Sequence, residues 1–177
     1  FQYDILIPVS DGTCAIAAAA NNGLLAYVAQ GFSYQISGKR TPKPYLPANI
    51  TFTPTTVGSA MASHVEVMLI TPDIIFAVCG DDATTVTTVA GAIAMIGENA
   101  DLSTVTAGNT QSGRSGMNLD ISTHATTAAN FRIIGIQQYP SDQPAAAFLN
   151  NDPTLIGLRY LVTCNEGFWP PYTTSGV

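Results

Sequence analysis

Few residues in this chain are equipped for chemistry. His64 and Glu66 stand two apart, which on a strand puts both side chains on one face, where a carboxylate can orient an imidazole for proton transfer. His124 lies in the polar run Ser122-Thr123-His124-Ala125-Thr126-Thr127, with Asp120 as the one carboxylate nearby in sequence. An enzyme would need one of these histidines in a pocket beside Glu66, Asp120 or a cysteine thiolate. The histidines fall in no H-x-x-x-H or H-x-H spacing, and two of them make no zinc site without carboxylate help. Gly80-Asp81-Asp82 and Gly97-Glu98-Asn99-Ala100-Asp101 are carboxylate-bearing loops, but the alternating calcium-loop pattern is missing and solvated turns are expected. Gly113-Arg114-Ser115-Gly116 lacks the lysine and the following helix of a phosphate loop. No G-x-S-x-G elbow is present, and Asn49-Ile50-Thr51 reads as a chance glycosylation sequon. Cys14, Cys79 and Cys164 are far apart and each sits in an apolar context, which predicts small buried hydrophobes and neither a disulfide framework nor a metal site. The expectation is no catalytic residues, no metal and no cofactor.

Composition points the same way. The chain has 177 residues, of which 46% are hydrophobic, enough to build one substantial core. Only 10% are charged, against roughly 25% in an ordinary soluble domain. Thr, Ser, Ala, Gly, Asn and Gln fill the gap and leave a surface without its usual charged coat. That suits a coat protein, an adhesin or a tightly assembled subunit. The net charge is −6 and the six basic residues cannot line a broad basic face, so nucleic-acid binding is not expected. No apolar run reaches the roughly 20 residues of a membrane-spanning helix.

Period-two alternation dominates and predicts an all-β fold, a single β-barrel or β-sandwich. Strands are expected over residues 3–9, 13–20, 24–30, 32–36, 50–52, 64–70, 74–78, 117–122, 131–138 and 155–164. Asn21-Asn22-Gly23 predicts a hairpin joining 13–20 to 24–30, and Thr71-Pro72-Asp73 a second joining 64–70 to 74–78. Residues 84–96 carry four Thr and Gly91 and read as a short turn leading into a strand; 145–149 reads as one helical turn. Two stretches depart from the strand pattern. Residues 37–48 hold Pro42, Pro44 and Pro47 and predict an extended arm within the β-rich domain of residues 1–166. Residues 167–177 form a tail in which Phe168, Trp169 and Tyr172 flank two prolines. Such a stiff aromatic segment either docks on a neighbour or folds back on its own sheet.

The last third has a characteristic order. Gly108-Asn109-Thr110-Gln111-Ser112-Gly113-Arg114-Ser115-Gly116-Met117-Asn118-Leu119-Asp120 is followed by Phe131-Arg132-Ile133-Ile134-Gly135, then by Leu158-Arg159-Tyr160-Leu161-Val162-Thr163-Cys164-Asn165-Glu166-Gly167-Phe168. This resembles the small virion structural proteins of tailed bacteriophages, of the head decoration (cement) type. The resemblance covers residues 81–168; the first 80 residues bring only a generic β pattern. It implies a non-enzymatic subunit, made in the host cytoplasm and placed on the capsid exterior. Such a subunit assembles with itself, as a trimer by this resemblance, and clamps the major capsid protein. Members of that group usually carry a charged residue or His where Gly167 stands.

Contact residues expected on this reading are Lys39, Arg40, Lys43 and Tyr45 in the arm, Arg114 in its Gly-Ser loop, and Phe168, Trp169 and Tyr172 in the tail. Arg132 and Arg159 lie within strands; each either pairs internally, Arg132 with Asp120, or points into an interface, and the internal pair is favoured. The alternative function is a carbohydrate- or receptor-binding module of a virion fibre or cell surface, with Trp169, Tyr172 and Tyr139 as the stacking aromatics.

Overall fold

The computed structural model describes residues 1–10, 13–19, 24–36, 39–47, 63–81, 86, 88–104, 107–125, 129–137 and 158–168. The expected strands over 50–52, the turn at 145–149 and the aromatics Tyr139, Trp169 and Tyr172 lie outside them. The chain is all-β, as its alternation predicts, and forms two antiparallel sheets that face each other as in a sandwich. The first contains β1 (Ile5–Pro8), β2 (Cys14–Ile16), β3 (Tyr27–Ile36), β4 (Lys39–Lys43) and β5 (Ser63–Leu69), in the order β2-β1-β3-β4 with β5 also paired to β3. The second contains β6 (Ile75–Cys79), β7 (Asn99–Ser103), β8 (Asn118–Ala125), β9 (Phe131–Ile136) and β10 (Arg159–Cys164), in the order β6-β10-β9-β7-β8. A short helix, α1 (Val89–Ala94), joins β6 to β7.

Alternation explains which side chains fill the space between the sheets. On β9, Phe131 and Ile133 are buried while Arg132 and Ile134 face outward; on β10, Tyr160, Val162 and Cys164 are buried while Arg159 is exposed. Leu119 and Ile121 from β8 and Leu102 from β7 join them, and Ile5, Leu25, Val28 and Ile70 meet them from the first sheet. Each large side chain removed from water here contributes about 1.5–3 kcal/mol. The second sheet curls until its two edges touch. Gly80, just past β6, bridges Leu119, and Asp81 N–H donates to the Leu119 carbonyl at 3.0 Å. The Asp81 carboxylate in turn accepts from Ile121 N–H at 3.2 Å. The contact is local, so the sheet closes at one corner and not into a barrel.

Five expectations need correction. β2 pairs with β1, not β3: Leu6 lies between Ile16 and Tyr27, and Val9 N–H bonds to Thr13 O at 2.9 Å. Both flanks of the 17–26 connection therefore serve β1, one on each edge. β5 and β6 form no hairpin either. Ile70 is fully buried and its N–H bonds to Ala26 O, after which the turn closed by Ile74 N–H to Thr71 O carries the chain from the first sheet to the second. Burying Ile70 between the layers makes this a corner. Within the predicted arm, residues 39–43 are a strand, paired from Ile36↔Lys39 to Phe32↔Lys43. Pro42 is tolerated because β4 is an edge.

The fourth correction is α1. Thr88 caps it, accepting Gly91 N–H at 3.1 Å, and Ala92 and Met95 bury the core-facing side, so capping and burial outweigh poor propensity. The fifth is β7, where a solvated turn is expected over 97–101. Ala100 and Leu102 are buried there, and Gly97 N–H and Ile133 N–H form backbone bonds that weld the segment to β9.

The corner contact at Gly80 leaves no room for a side chain. A Cβ there would lie 2.8 Å from Ile121 Cγ1 and 3.1 Å from Tyr160 Cε2, both buried. Gly80→Ala is expected to destabilise the fold by about 1–3 kcal/mol. Urea unfolding followed by circular dichroism, compared with the unchanged chain, measures this.

Candidate interaction surface

One inserted residue decides what the first sheet shows to its surroundings. In β3, Ala29 opposes Val67 and Gly31 opposes Glu66, so Gln30 is a bulge. The insertion shifts the alternation by one. Tyr27 and Ala29 before it, and Phe32 and Tyr34 after it, all fall on the face turned away from the second sheet. There they form a small second cluster with Leu6 and the half-buried Cys14, Leu46 and Val65. β5 itself stays regular, so Val65, Val67 and Leu69 share that face.

The cluster is covered at its centre and open at the β5 margin. Ala29 and Leu6 are buried, whereas Val67, Met68 and Leu69 are 39%, 37% and 47% exposed. Ile16, on the β2 edge, is 60% exposed. Three consecutive exposed apolar residues on an edge strand are unusual, because such strands are normally blunted by charge, proline or a bulge. Among the described residues nothing pairs with the far edge of β5.

The residues singled out by sequence are dispersed. Lys39 and Arg40 lie on the edge strand β4. Lys43 is exposed beside a shallow cleft that also includes Gln2, Gln30, Phe32, Pro42 and Glu66. Tyr45 stacks on Phe1 with ring centroids 5.7 Å apart. Arg114 is exposed on a tight turn where Asn109 Oδ1 accepts from Gln111 and Ser112 N–H at 2.8 and 3.1 Å. That turn is clamped to the chain start: Gln2 N–H donates to Gly113 O, and Ser115 N–H to Gln2 O. Phe168 N–H donates to Leu25 O at 2.8 Å, which fastens the beginning of the tail to the first sheet.

Arg132 forms no pair with Asp120, because β7 lies between their strands. Register puts Arg132 opposite Asn99 and Thr163, and the Asp120 carboxylate accepts instead from Ser122 N–H and Oγ. His64, on β5, opposes Ser33 of β3, and Glu66 is exposed two residues on.

His124 does have a carboxylate partner that sequence spacing hides. Its Nδ1 lies 2.5 Å from Glu98 Oε2, because β8 and the approach to β7 run side by side. The two side chains are 35% and 31% exposed. A carboxylate-held imidazole can move a proton only for a substrate fixed beside it. Among the described residues no three His, Cys, Asp or Glu side chains converge as metal ligands would. No protein family, curated protein or solved structure matches this chain.

The three thiols are free, Cys164 buried and Cys14 and Cys79 half-buried. Burial raises the Cys14 thiol above its usual value and pushes Cys164 up to about 12, against 9.0 unperturbed. The unfolded chain ionises at Cys164 from the lower value and the folded chain only at the higher. This contribution to stability is therefore complete below pH 9.0 and lost as pH rises toward about 12. Tyr160, also raised by burial to about 12 from 10.0, adds to the same alkaline loss. Denaturation midpoints measured across this range should fall with pH, and less steeply in Cys164→Ser. At neutral pH a thiol reagent should modify Cys14 and Cys79 in the folded protein and reach Cys164 only on unfolding.

Proposed function

We propose that this chain is a non-enzymatic structural subunit of a virion, of the head-decoration type, which coats the outer shell and strengthens contacts between major capsid subunits. The observation that carries the reading is the β5 edge, unpaired among the described residues and with Val67, Met68 and Leu69 exposed, in a chain with only 10% charged residues. Exposed apolar surface on an unblocked edge is a liability for a free monomer and an asset for a subunit that is covered in its working state. The acidic net charge of −6 suits an outward position, away from packaged nucleic acid.

The segments that carry the resemblance supply scaffold and ties. Residues 108–117 form the turn clamped to Gln2, and β8, β9 and β10 supply the buried face of the second sheet. Such a division, a rigid body plus an apolar margin, fits a protein that holds others in place. The carbohydrate-binding alternative draws on Tyr139, Trp169 and Tyr172, which lie outside the described residues.

Binding to capsids tests the proposal. Mature heads of the encoding virus, stripped of this protein, are mixed with the purified chain, sedimented and imaged. Saturable binding at fixed lattice positions is expected, together with greater resistance of the heads to heat. Leu69→Lys should weaken that binding by about tenfold or more, since a charge would enter the apolar margin through which the subunit assembles. Heads that stay bare at saturating protein would defeat the reading.

A further inference from the structure

We propose that β5 pairs with β5 of a second copy, antiparallel about a two-fold axis through Val67, so that two first sheets become one continuous sheet. The pairing rests on the reading of this chain as an assembling subunit, and it names the partner of the open edge.

The geometry begins with the hydrogen bonds already made. Ile70 N–H bonds to Ala26 O on the β3 side of the strand. β5 carries no bulge of its own, so bonding direction alternates regularly along it. The N–H and C=O groups of Val65, Val67 and Leu69 therefore point outward, away from β3. An antiparallel partner must offer the complementary outward groups at matching positions, and a second β5 does so by symmetry.

The register follows from side chains and charge. An axis through Val67 sets Val67 opposite Val67 of the second copy, and Val65 opposite its Leu69. These are the pairs that exchange both N–H···O bonds. They are apolar on both sides and lie on the face of the second cluster, which then continues across the axis. Glu66, the one carboxylate of β5, falls opposite Met68 and never opposite another Glu66. An axis two residues earlier, through Val65, would leave Leu69 without a partner within β5. No like charges meet in the chosen register, and each of the exposed residues Val67, Met68 and Leu69 gains a partner.

The other long edge of the first sheet shows why β5 is the one to pair. β4 reads Lys39-Arg40-Thr41-Pro42-Lys43 and is protected by the exposed Lys43 and by Pro42, which cannot donate.

Sedimentation equilibrium of the full chain tests the pairing. A monomer–dimer equilibrium is expected, and Val67→Lys should raise the dissociation constant on the order of a hundredfold, since two ammonium groups meet on the axis. Its far-ultraviolet circular dichroism should match the unchanged chain. Ile75→Lys, at a residue 57% exposed on β6, should leave the dimer intact. Val67→Cys supplies an independent readout. Paired residues on the axis lie about 5.5 Å apart between Cα atoms, within disulfide reach, so mild oxidation should give a reducible dimer. The unchanged chain with its free Cys14, Cys79 and Cys164 should give none. An unchanged chain that sediments as a monomer or a trimer, or Val67→Cys that does not cross-link, overturns the pairing. A monomer that still coats capsids would remove the pairing and keep the structural reading. A cross-linked dimer that binds no capsid would do the reverse.

Discussion

The surface this protein presents depends on a single extra residue in β3. That strand borders β1, β4 and β5, so its alternation sets the orientation of the whole first sheet. Without the bulge at Gln30, Phe32 and Tyr34 would point to the same side as Val28, and Gly31 and Ser33 to the other. With it, Tyr27, Ala29, Phe32 and Tyr34 share one face. The first sheet then has apolar side chains on both faces: Ile5 and Val28 toward the second sheet, Leu6 and the second cluster away from it. A sheet of this kind needs cover on two sides. Its inner cover is the second sheet, and at the β5 margin the outer side is left exposed.

The two layers are joined by neutral groups. Leu25 N–H donates to Glu166 O and its carbonyl accepts from Phe168 N–H, so the end of β10 is laced to the start of β3. Asn130, fully buried, ties three strands: its Oδ1 accepts from Leu102 N–H at 3.0 Å, its Nδ2 donates to Glu166 Oε2 at 2.8 Å, and its carbonyl accepts from Asn165 N–H at 2.8 Å. Leaving even one such buried group unpaired costs about 1–3 kcal/mol. Asn109 and Thr88 perform the same service at a turn and a helix start. A composition poor in charge and rich in Asn, Thr and Ser is thus consistent with how the body is held together, and it leaves the surface with few ionic means of staying apart from neighbours.

How much of this was legible in the sequence depended on what each residue had to do. β8, β9 and β10 were readable because one face of each is buried and the other wet, so Leu119, Ile121, Phe131, Ile133, Tyr160 and Val162 recur at period two. β7 was not, because Asn99 and Asp101 place polar residues in the sheet, where Asp101 N–H donates to Thr123 Oγ1 and the Asp101 carboxylate accepts from Asn130 N–H. Alternation also says which face a side chain takes and not which strand lies beside it. That is why the partners of β2 and β6 were misassigned. The pairing of His124 with Glu98 was hidden for the same reason, since it depends on β7 and β8 being neighbours. Tyr45 and Phe168 looked free for outside contacts because a sequence cannot show that Phe1 stacks on the first or that Leu25 bonds the backbone of the second. The run Val67-Met68-Leu69 falls within the strand expected over 64–70, and its alternation does not show that it is exposed. Only the position of β5 at an edge reveals that both its faces are partly bare.

That edge position separates two explanations for an apolar, charge-poor strand. If β5 were only core material, its neighbours would cover Val67 and Leu69 as they cover Ala29 and Leu6. If it were merely tolerated, the strand would be expected to carry guards like those on β4, where Pro42 interrupts donation and Lys43 adds an exposed charge. Among the described residues nothing covers the β5 margin, and the strand carries no proline. Its outward groups are regular over residues 65–69, its only carboxylate is Glu66, and the bulge that would twist an edge away from partners lies in β3 instead. A bulge placed in the inner strand turns the apolar face outward while leaving the edge strand regular in register, and a regular strand with an apolar face is the form that another strand can join.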